Sequence, residues 1–157
     1  MKEQLEKILN ELGGAYEWHE QDTPYSLTIE PGIMHDLMQR LYETEGLYFD
    51  MLSCITGVDN GPEAGTMEVV YNLISIPYEN SLMIKVTLAR ESPSVPTVSD
   101  IWRTADWLER ETYDLLGIHF EGHPDLRRIL LPADWEGHPL QKDYEQQEYY
   151  HGVRVAY

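Results

Sequence analysis

Met67–Ala89 reads MEVVYNLISIPYENSLMIKVTLA. Apolar and polar side chains alternate on both sides of Pro77-Tyr78-Glu79-Asn80, the pattern of two half-buried strands, 67–76 and 81–89, joined by a short connection. Immediately upstream, Asp59-Asn60-Gly61-Pro62-Glu63-Ala64-Gly65 is turn chemistry. An apolar strand over 48–58 precedes it. Three successive strands with short connections predict an antiparallel meander.

Working outward, the N-terminal side supplies what the meander needs to cover it. Leu5, Ile8, Leu9 and Leu12 recur at helical spacing, and Gly13-Gly14 ends that helix, placed at 3–12. Two short strands, 16–20 and 25–29, flank the turn Asp22-Thr23-Pro24. Pro31 is suited to the first position of a second helix, 31–45, with Ile33, Leu37, Met38 and Leu41 on one face and Gly46 as its stop. The order α-β-β-α-β-β-β predicts an α+β fold, a two-layer α/β sandwich with a mostly antiparallel or mixed sheet. After a linker at 91–96, a third helix is expected over 99–116, facing inward with Ile101, Ala105, Leu108, Thr112 and Leu115, and ended by Gly117. Regular signals thin out beyond it. The expected division is an α/β domain, 1–117, and an extended irregular C-terminal tail, 118–157.

The chain has 157 residues, enough for one domain with a real core. Its formal charge of −17 argues against nucleic acid and against direct adsorption to anionic lipid. The one cysteine, Cys54, cannot form an internal disulfide or hold a usual iron–sulfur cluster, and reads as a small buried strand residue. No apolar run approaches the roughly 20 residues of a membrane span. The N-terminus, MKEQLEKILNEL, is charged and amphipathic and is not a signal peptide, so the expected location is intracellular and reducing.

Gly122–Tyr144, GHPDLRRILLPADWEGHPLQKDY, concentrates chemistry on irregular chain. His119, His123 and His138 lie near Asp125 and Asp134. That set defines one alternative, a stand-alone metal-dependent enzyme using His119, His123, His138 and Asp125. Gly117, Gly122 and Pro124 break the helix that paired zinc histidines would need, and histidines in such turns more often donate to backbone. No Gly-x-Ser-x-Gly elbow, phosphate loop or dinucleotide fingerprint is present. Glu109-Arg110-Glu111 with Asp114 reads either as a solvated charged face or as a set in which Arg110 and Glu111 pin the irregular segment. Arg127-Arg128 is a basic spot on an acidic chain, with Trp135, Pro139 and Tyr144 as apolar anchors. Arg, Trp and Tyr are enriched where interfaces concentrate their energy. On extended chain the two arginines point opposite ways; Arg127 is expected to pin the tail and Arg128 to reach a partner.

ERETYDLLGIHFEGHPDLRRILL, from Glu109, and LPADWEGHPLQKDY, ending at Tyr144, resemble the thirty-kilodalton subunit family of respiratory complex I, the bacterial NADH–quinone oxidoreductase. The resemblance rests on Glu109-Arg110-Glu111, Asp114, Leu115-Leu116, His123, Arg127, Asp134-Trp135, Gly137, Pro139 and Lys142-Asp143-Tyr144. It implies a non-catalytic structural or assembly subunit of the peripheral arm of a proton-pumping NADH–quinone oxidoreductase. Such a chain would hold the quinone-binding and iron–sulfur subunits together. NADH, flavin, clusters and quinone would belong to those partners, and this chain would hold no cofactor and no metal. It would sit on the cytoplasmic face of the bacterial inner membrane through its partners. The implied interface residues are Arg110, Glu111, His123, Arg127, Arg128, Asp134, Trp135, Lys142 and Asp143. Related subunits of membrane-bound hydrogenases and of F420- or ferredoxin-linked complexes fit the same signature. Residues 145–157 match nothing in it.

Overall fold

A computed structural model describes residues 1–155. Helix α1 spans Lys2–Leu12, strands β1 and β2 span Tyr16–His19 and Ser26–Ile29, and helix α2 spans Pro31–Glu43. The meander follows as β3 (Met51–Asp59), β4 (Thr66–Ser75) and β5 (Asn80–Ala89). Then come β6 (Ser94–Pro96), α3 (Ala105–Leu116), β7 (His119–Glu121), β8 (Tyr149–Tyr150) and β9 (Val153–Arg154).

Local chemistry sets the boundaries. Gly13 takes a left-handed φ of 74° and turns its N–H back to Leu9 O, which closes α1. Pro31 opens α2 at its first turn, where no N–H is missed. β4 pairs antiparallel with both β3 and β5, as alternation predicts. The whole sheet is mixed, in the order β1-β2-β5-β4-β3, because β2 runs parallel to β5.

Parity decides the core. Val69, Tyr71 and Leu73 on β4, and Leu82, Ile84, Val86 and Leu88 on β5, all point to the covered face. Against them lie Leu5 and Leu9 of α1 and Met34, Leu37, Met38 and Leu41 of α2, each fully buried. Burial of such a side chain contributes about 1.5–3 kcal/mol. α2 turns Met34 inward, and Ile33 is only half-buried. Cys54 lies on β3 as expected but is half-buried, not buried.

Two expectations need correction. The third helix begins at Ala105, not near Ser99. The preceding segment turns tightly instead, burying Val98 and Trp102, whose Nε1 donates to Phe49 O at 3.0 Å. A boundary at Gly117 cuts through packed structure: Ile118 and Phe120 are core residues, and β7 pairs parallel with β6 beside buried Val95. β3 and α3 approach closely at Gly57, where a Cβ would overlap Leu116 and lie 2.9 Å from Thr112 Cγ2. No helix among the described residues is long and apolar enough to cross a membrane.

Candidate functional site

α3 buries charge where an ordinary surface helix buries leucine. Its buried residues are Ala105, Glu109, Arg110, Thr112, Asp114 and Leu116, while Leu108 and Leu115 are only half-covered. The charged cluster is therefore not a solvated face. Of these four charges Glu111 alone is exposed, although it lies one turn from buried Asp114. The reason lies at the two ends of the helix.

At the N-terminal end, Glu109 has no exposed surface. Its Oε1 accepts from Val98 N at 2.7 Å and its Oε2 from the Thr97 hydroxyl. The His123 side chain, also wholly buried, places Nε2 3.9 Å from the same carboxylate. His123 Nδ1 accepts from Asp125 N at 3.0 Å, so the proton sits on Nε2, which donates to Asp106 O at 3.1 Å. Burial pushes the Glu109 carboxyl up to about 7, against the pull of its bonds to Thr97 and Val98.

At the C-terminal end, the carbonyls that a helix leaves unpartnered are taken up one by one. Asp114 O accepts from Arg128 Nη1 at 3.0 Å and from His138 Nδ1 at 2.9 Å. Leu115 O accepts from Leu140 N at 3.0 Å, and Leu116 O from Gln141 Nε2 at 2.7 Å. Gly117, at φ 78°, returns its N–H to Tyr113 O. A Cβ at Gly117 would lie 2.7 Å from the His138 ring, so the close seat of that histidine depends on glycine twice over.

Asp114 organises this end. Its Oδ2 accepts from the N–H groups of Ile129, Leu130 and Leu131 at 3.0, 2.7 and 2.9 Å, and Oδ1 from Arg128 Nη1 at 2.9 Å. Burial opposes its charge, but the Leu131 N–H, the Arg128 guanidinium and the other two N–H groups outweigh it and hold the carboxyl below its ordinary value. Arg128 then donates Nη2 to Trp135 O and Gly137 O, at 3.0 and 2.8 Å. A cation here also suits the negative end of the helix.

These distances reverse the expected roles of the two arginines. Arg128, 14% exposed in its side chain, is the pin. Arg127, 71% exposed, bonds only Asp125 through its side chain among the described residues, at 2.9 Å.

A third clasp lies away from α3. Asp59 accepts from Gly61 N, from Arg90 Nε and Nη2, and from Lys142 N at 2.8 Å. Arg90 also bonds Asp143. The Arg90 guanidinium, then the Lys142 and Gly61 N–H groups, hold the Asp59 carboxyl far below the usual carboxylate range. Beyond it lies a hairpin, β8–β9, turning at His151 and Gly152 with positive φ at both. The hairpin closes on Asp134, which accepts from Tyr150 Oη and His151 Nε2 at 2.7 Å each. Trp135 packs against Tyr150 with ring centroids 5.2 Å apart and the planes tilted by 40°, and donates Nε1 to Tyr144 Oη.

Of the expected site residues, Arg110 lies on α3, His123 bonds its N-terminal half and Arg128 its C-terminal end, with Trp135 O accepting from Arg128 behind it. Lys142 and Asp143 join the Asp59 clasp, and Glu111 joins none of these. His123 and His138 spend ring nitrogens on carbonyls near opposite ends of α3. Among the described residues no group of three or more His, Cys, Asp or Glu could hold a metal ion. Glu109, Asp59 and Arg90 lie outside the expected interface set. Asp59 was legible only as part of a turn, since its partner Lys142 lies 83 residues away.

Residues 27–150 match the family described as respiratory-chain NADH dehydrogenase, 30 Kd subunit. The C subunit of the NADH-quinone oxidoreductase of Chloroherpeton thalassium is 53% identical over 116 residues, covering 73% of this chain and 48% of that protein. The C 2 subunit of the Rhizobium meliloti NADH-quinone oxidoreductase is 42% identical over 146 residues, covering 92% of this chain and 80% of its own. The chain thus spans about half the length of some of the relatives it matches. Among solved structures, the trypsin-resistant fragment (1-134) of Nqo5 superimposes with a TM-score of 0.60 at 34% identity, covering 78% of this chain and 99% of that one. A polypeptide of the membrane-bound sulfane sulfur reductase, an archaeal respiratory membrane complex, superimposes with a TM-score of 0.75 at 26% identity, covering 92% and 85%.

Proposed function

Because this chain belongs to the 30 kDa subunit family of respiratory-chain NADH dehydrogenase, we propose that it is a structural and assembly subunit of a proton-pumping NADH–quinone oxidoreductase, with no redox centre of its own. Its place is the peripheral arm, on the cytoplasmic face of the inner membrane, where it holds the quinone-binding and iron–sulfur subunits together. NADH, flavin, clusters and quinone are the partners' chemistry.

The observation that carries this reading is how the polar side chains of the family stretch are used. Asp114, Arg128, His123 and His138 bond main-chain groups of α3 and of segment 123–137. Groups committed in this way hold the shape of the chain, which supports a structural role. A second reading is favoured by the likeness to a polypeptide of the sulfane sulfur reductase, which covers 92% of this chain. On that reading the chain plays the same part in a complex with a different electron donor or acceptor.

Purification of the tagged chain from membranes in mild detergent tests both. The expected result is co-purification of quinone-binding and cluster-bearing subunits. NADH-oxidising subunits in the same fraction select the first reading, and their replacement by another electron-input module selects the second. The free chain should be colourless, free of stoichiometric metal and inactive with NADH and quinone. Recovery of the chain alone, from membranes whose respiratory activity survives its deletion, overturns both readings.

A further inference from the structure

Arg110 is 7% exposed, yet it lacks an anion. Arg90, Arg127, Arg128 and Arg154 each lie within 4 Å of a carboxylate oxygen. Arg110 does not, among the described residues. Its one hydrogen bond there is Nε to Arg127 O, at 3.3 Å, which leaves both Nη groups uncommitted. Neither Nη is among the buried atoms left without a partner, so the outer edge of the fork stays open while the rest of the side chain is covered.

What lies over it is as unusual. The Arg110 guanidinium carbon sits 5.1 Å from the centroid of the Trp107 ring, one turn back on α3. Trp107 is 64% exposed, the most exposed tryptophan or tyrosine of the described residues. A cation held against an indole face is pre-set in direction, because the ring fixes the guanidinium plane. Exposed Arg127, whose backbone receives the Arg110 bond, lies alongside. Arg103, exposed and four residues before Trp107, is also unpaired among the described residues. On a chain of net charge −17, Arg110 and Trp107 set an unpaired cation and an exposed indole side by side.

We propose that the Trp107–Arg110 pair on the outer side of α3 is an anchor of the chain's docking surface, and that its occupant is a carboxylate on an acidic segment of a neighbouring protein subunit. The inference rests on the subunit reading above and adds the place and chemistry of contact. An Asp or Glu side chain matches the free edge of the guanidinium fork with two parallel N–H···O bonds. Its arrival would neutralise the orphan charge, while the partner's surface covers the indole and removes water from both. Trp with Arg at the centre of a patch is the pairing most often found to dominate association energy. The chain's net negative charge repels an acidic partner elsewhere, so the same arrangement selects register.

The test uses the assembled complex. Trp107→Ala removes an exposed ring and leaves the core untouched, so the free chain should melt as the parent does. Recovery of partner subunits with the tagged chain should fall on the order of tenfold or more, as for a dominant contact. Arg110→Lys keeps the charge and introduces an amine. A zero-length carbodiimide should then join position 110 to an Asp- or Glu-containing peptide of another subunit, an adduct that the parent complex does not give. Unchanged recovery for Trp107→Ala overturns the proposal. So does an Arg110→Lys complex that assembles without forming the adduct, or a Trp107→Ala chain that keeps its subunits but loses binding to anionic vesicles. If the parent chain itself brings down no subunits, it is the subunit reading that has failed.

Discussion

Asp114 is an ion-pair partner and a loop template at once, and its carbonyl is capped by Arg128 and His138. Removing it strands three N–H groups and a poorly solvated guanidinium. Arg128→Ala strands the complementary set: Asp114 without its cation, and the Trp135 and Gly137 carbonyls without donors. Arg128→Ala should therefore lower the stability of the free chain by about 3–5 kcal/mol, while Arg127→Ala should stay within about 0.5 kcal/mol. Urea denaturation of the two single variants checks the pair, and equal midpoints would contradict the geometry. Glu109 supplies a second residue-level expectation, in pH. Its carboxyl is raised from an ordinary 4.5 to about 7 in the folded state. Between those values the folded chain holds more proton than the unfolded one, so this group's contribution falls as pH rises through the window, by roughly 3 kcal/mol at most. Glu109→Gln keeps an acceptor for Val98 N and offers a donor to Thr97, mimicking the neutral acid. Its melting temperature relative to the parent should climb steadily from pH 5 to pH 8. A flat difference would mean the carboxylate is stable as a buried anion.

Helix α3 and strand β7 are the elements where pattern reading and packing part ways. The meander and the first two helices follow from periodicity because their faces bury apolar groups, and the alternation at Met67–Ala89 is the burial pattern itself. α3 obeys that rule only in part: Ala105 and Thr112 are buried as the pattern predicts, but Glu109, Arg110 and Asp114 are buried beside them, and partners more than ten residues away make those charges tolerable. Hydrophobic periodicity places Ile101 and Leu108 against the core, where they are half-buried, but it misplaces Leu115 and begins the helix too early. β7 is three residues long and pairs with a three-residue strand, too little for a sequence signal, yet Phe120 and Ile118 fill the core. A chain ending at Gly117 loses these side chains together with the donors for the Asp114, Leu115 and Leu116 carbonyls. Such a truncation is expected to lack a cooperative thermal transition, whereas a chain ending at Tyr144 retains one. A sharp unfolding transition in the shorter chain would show that α3 and the sheet stand without the segment that follows them.

Across the whole molecule, segment 118–144 is a strap, clasped first to α3 and then, at Lys142-Asp143, to the far end of β3. The family stretch was legible as a unit, but sequence could not say that it first embraces its own domain. The residues it grips, Glu109, Asp59 and Arg90, carry no local mark of that task. The last clasp differs from the first two in what it holds. Asp59 is 5% exposed and fixed by Gly61 and Arg90, so it belongs to the domain, while Lys142 and Asp143 are exposed and bring no apolar side chain inward. Loss of this clasp should thus free the strap's end without unfolding the sheet. Arg90→Ala is too blunt a probe, since it leaves Asp59 charged and short of two donors. Asp59→Asn is gentler: the amide oxygen can still accept from one N–H, but the ion pair with Arg90 and the acceptor for Lys142 N are weakened together. Amide hydrogen exchange reads the consequence by position. The Lys142 amide and residues beyond it should lose protection in Asp59→Asn by on the order of tenfold, the equivalent of about 1.4 kcal/mol of local opening, while the β4 and β5 amides keep theirs. Equal loss across the sheet and the strap would mean that the clasp stabilises the global fold, and that the molecule unfolds as one unit from Met1 to the hairpin.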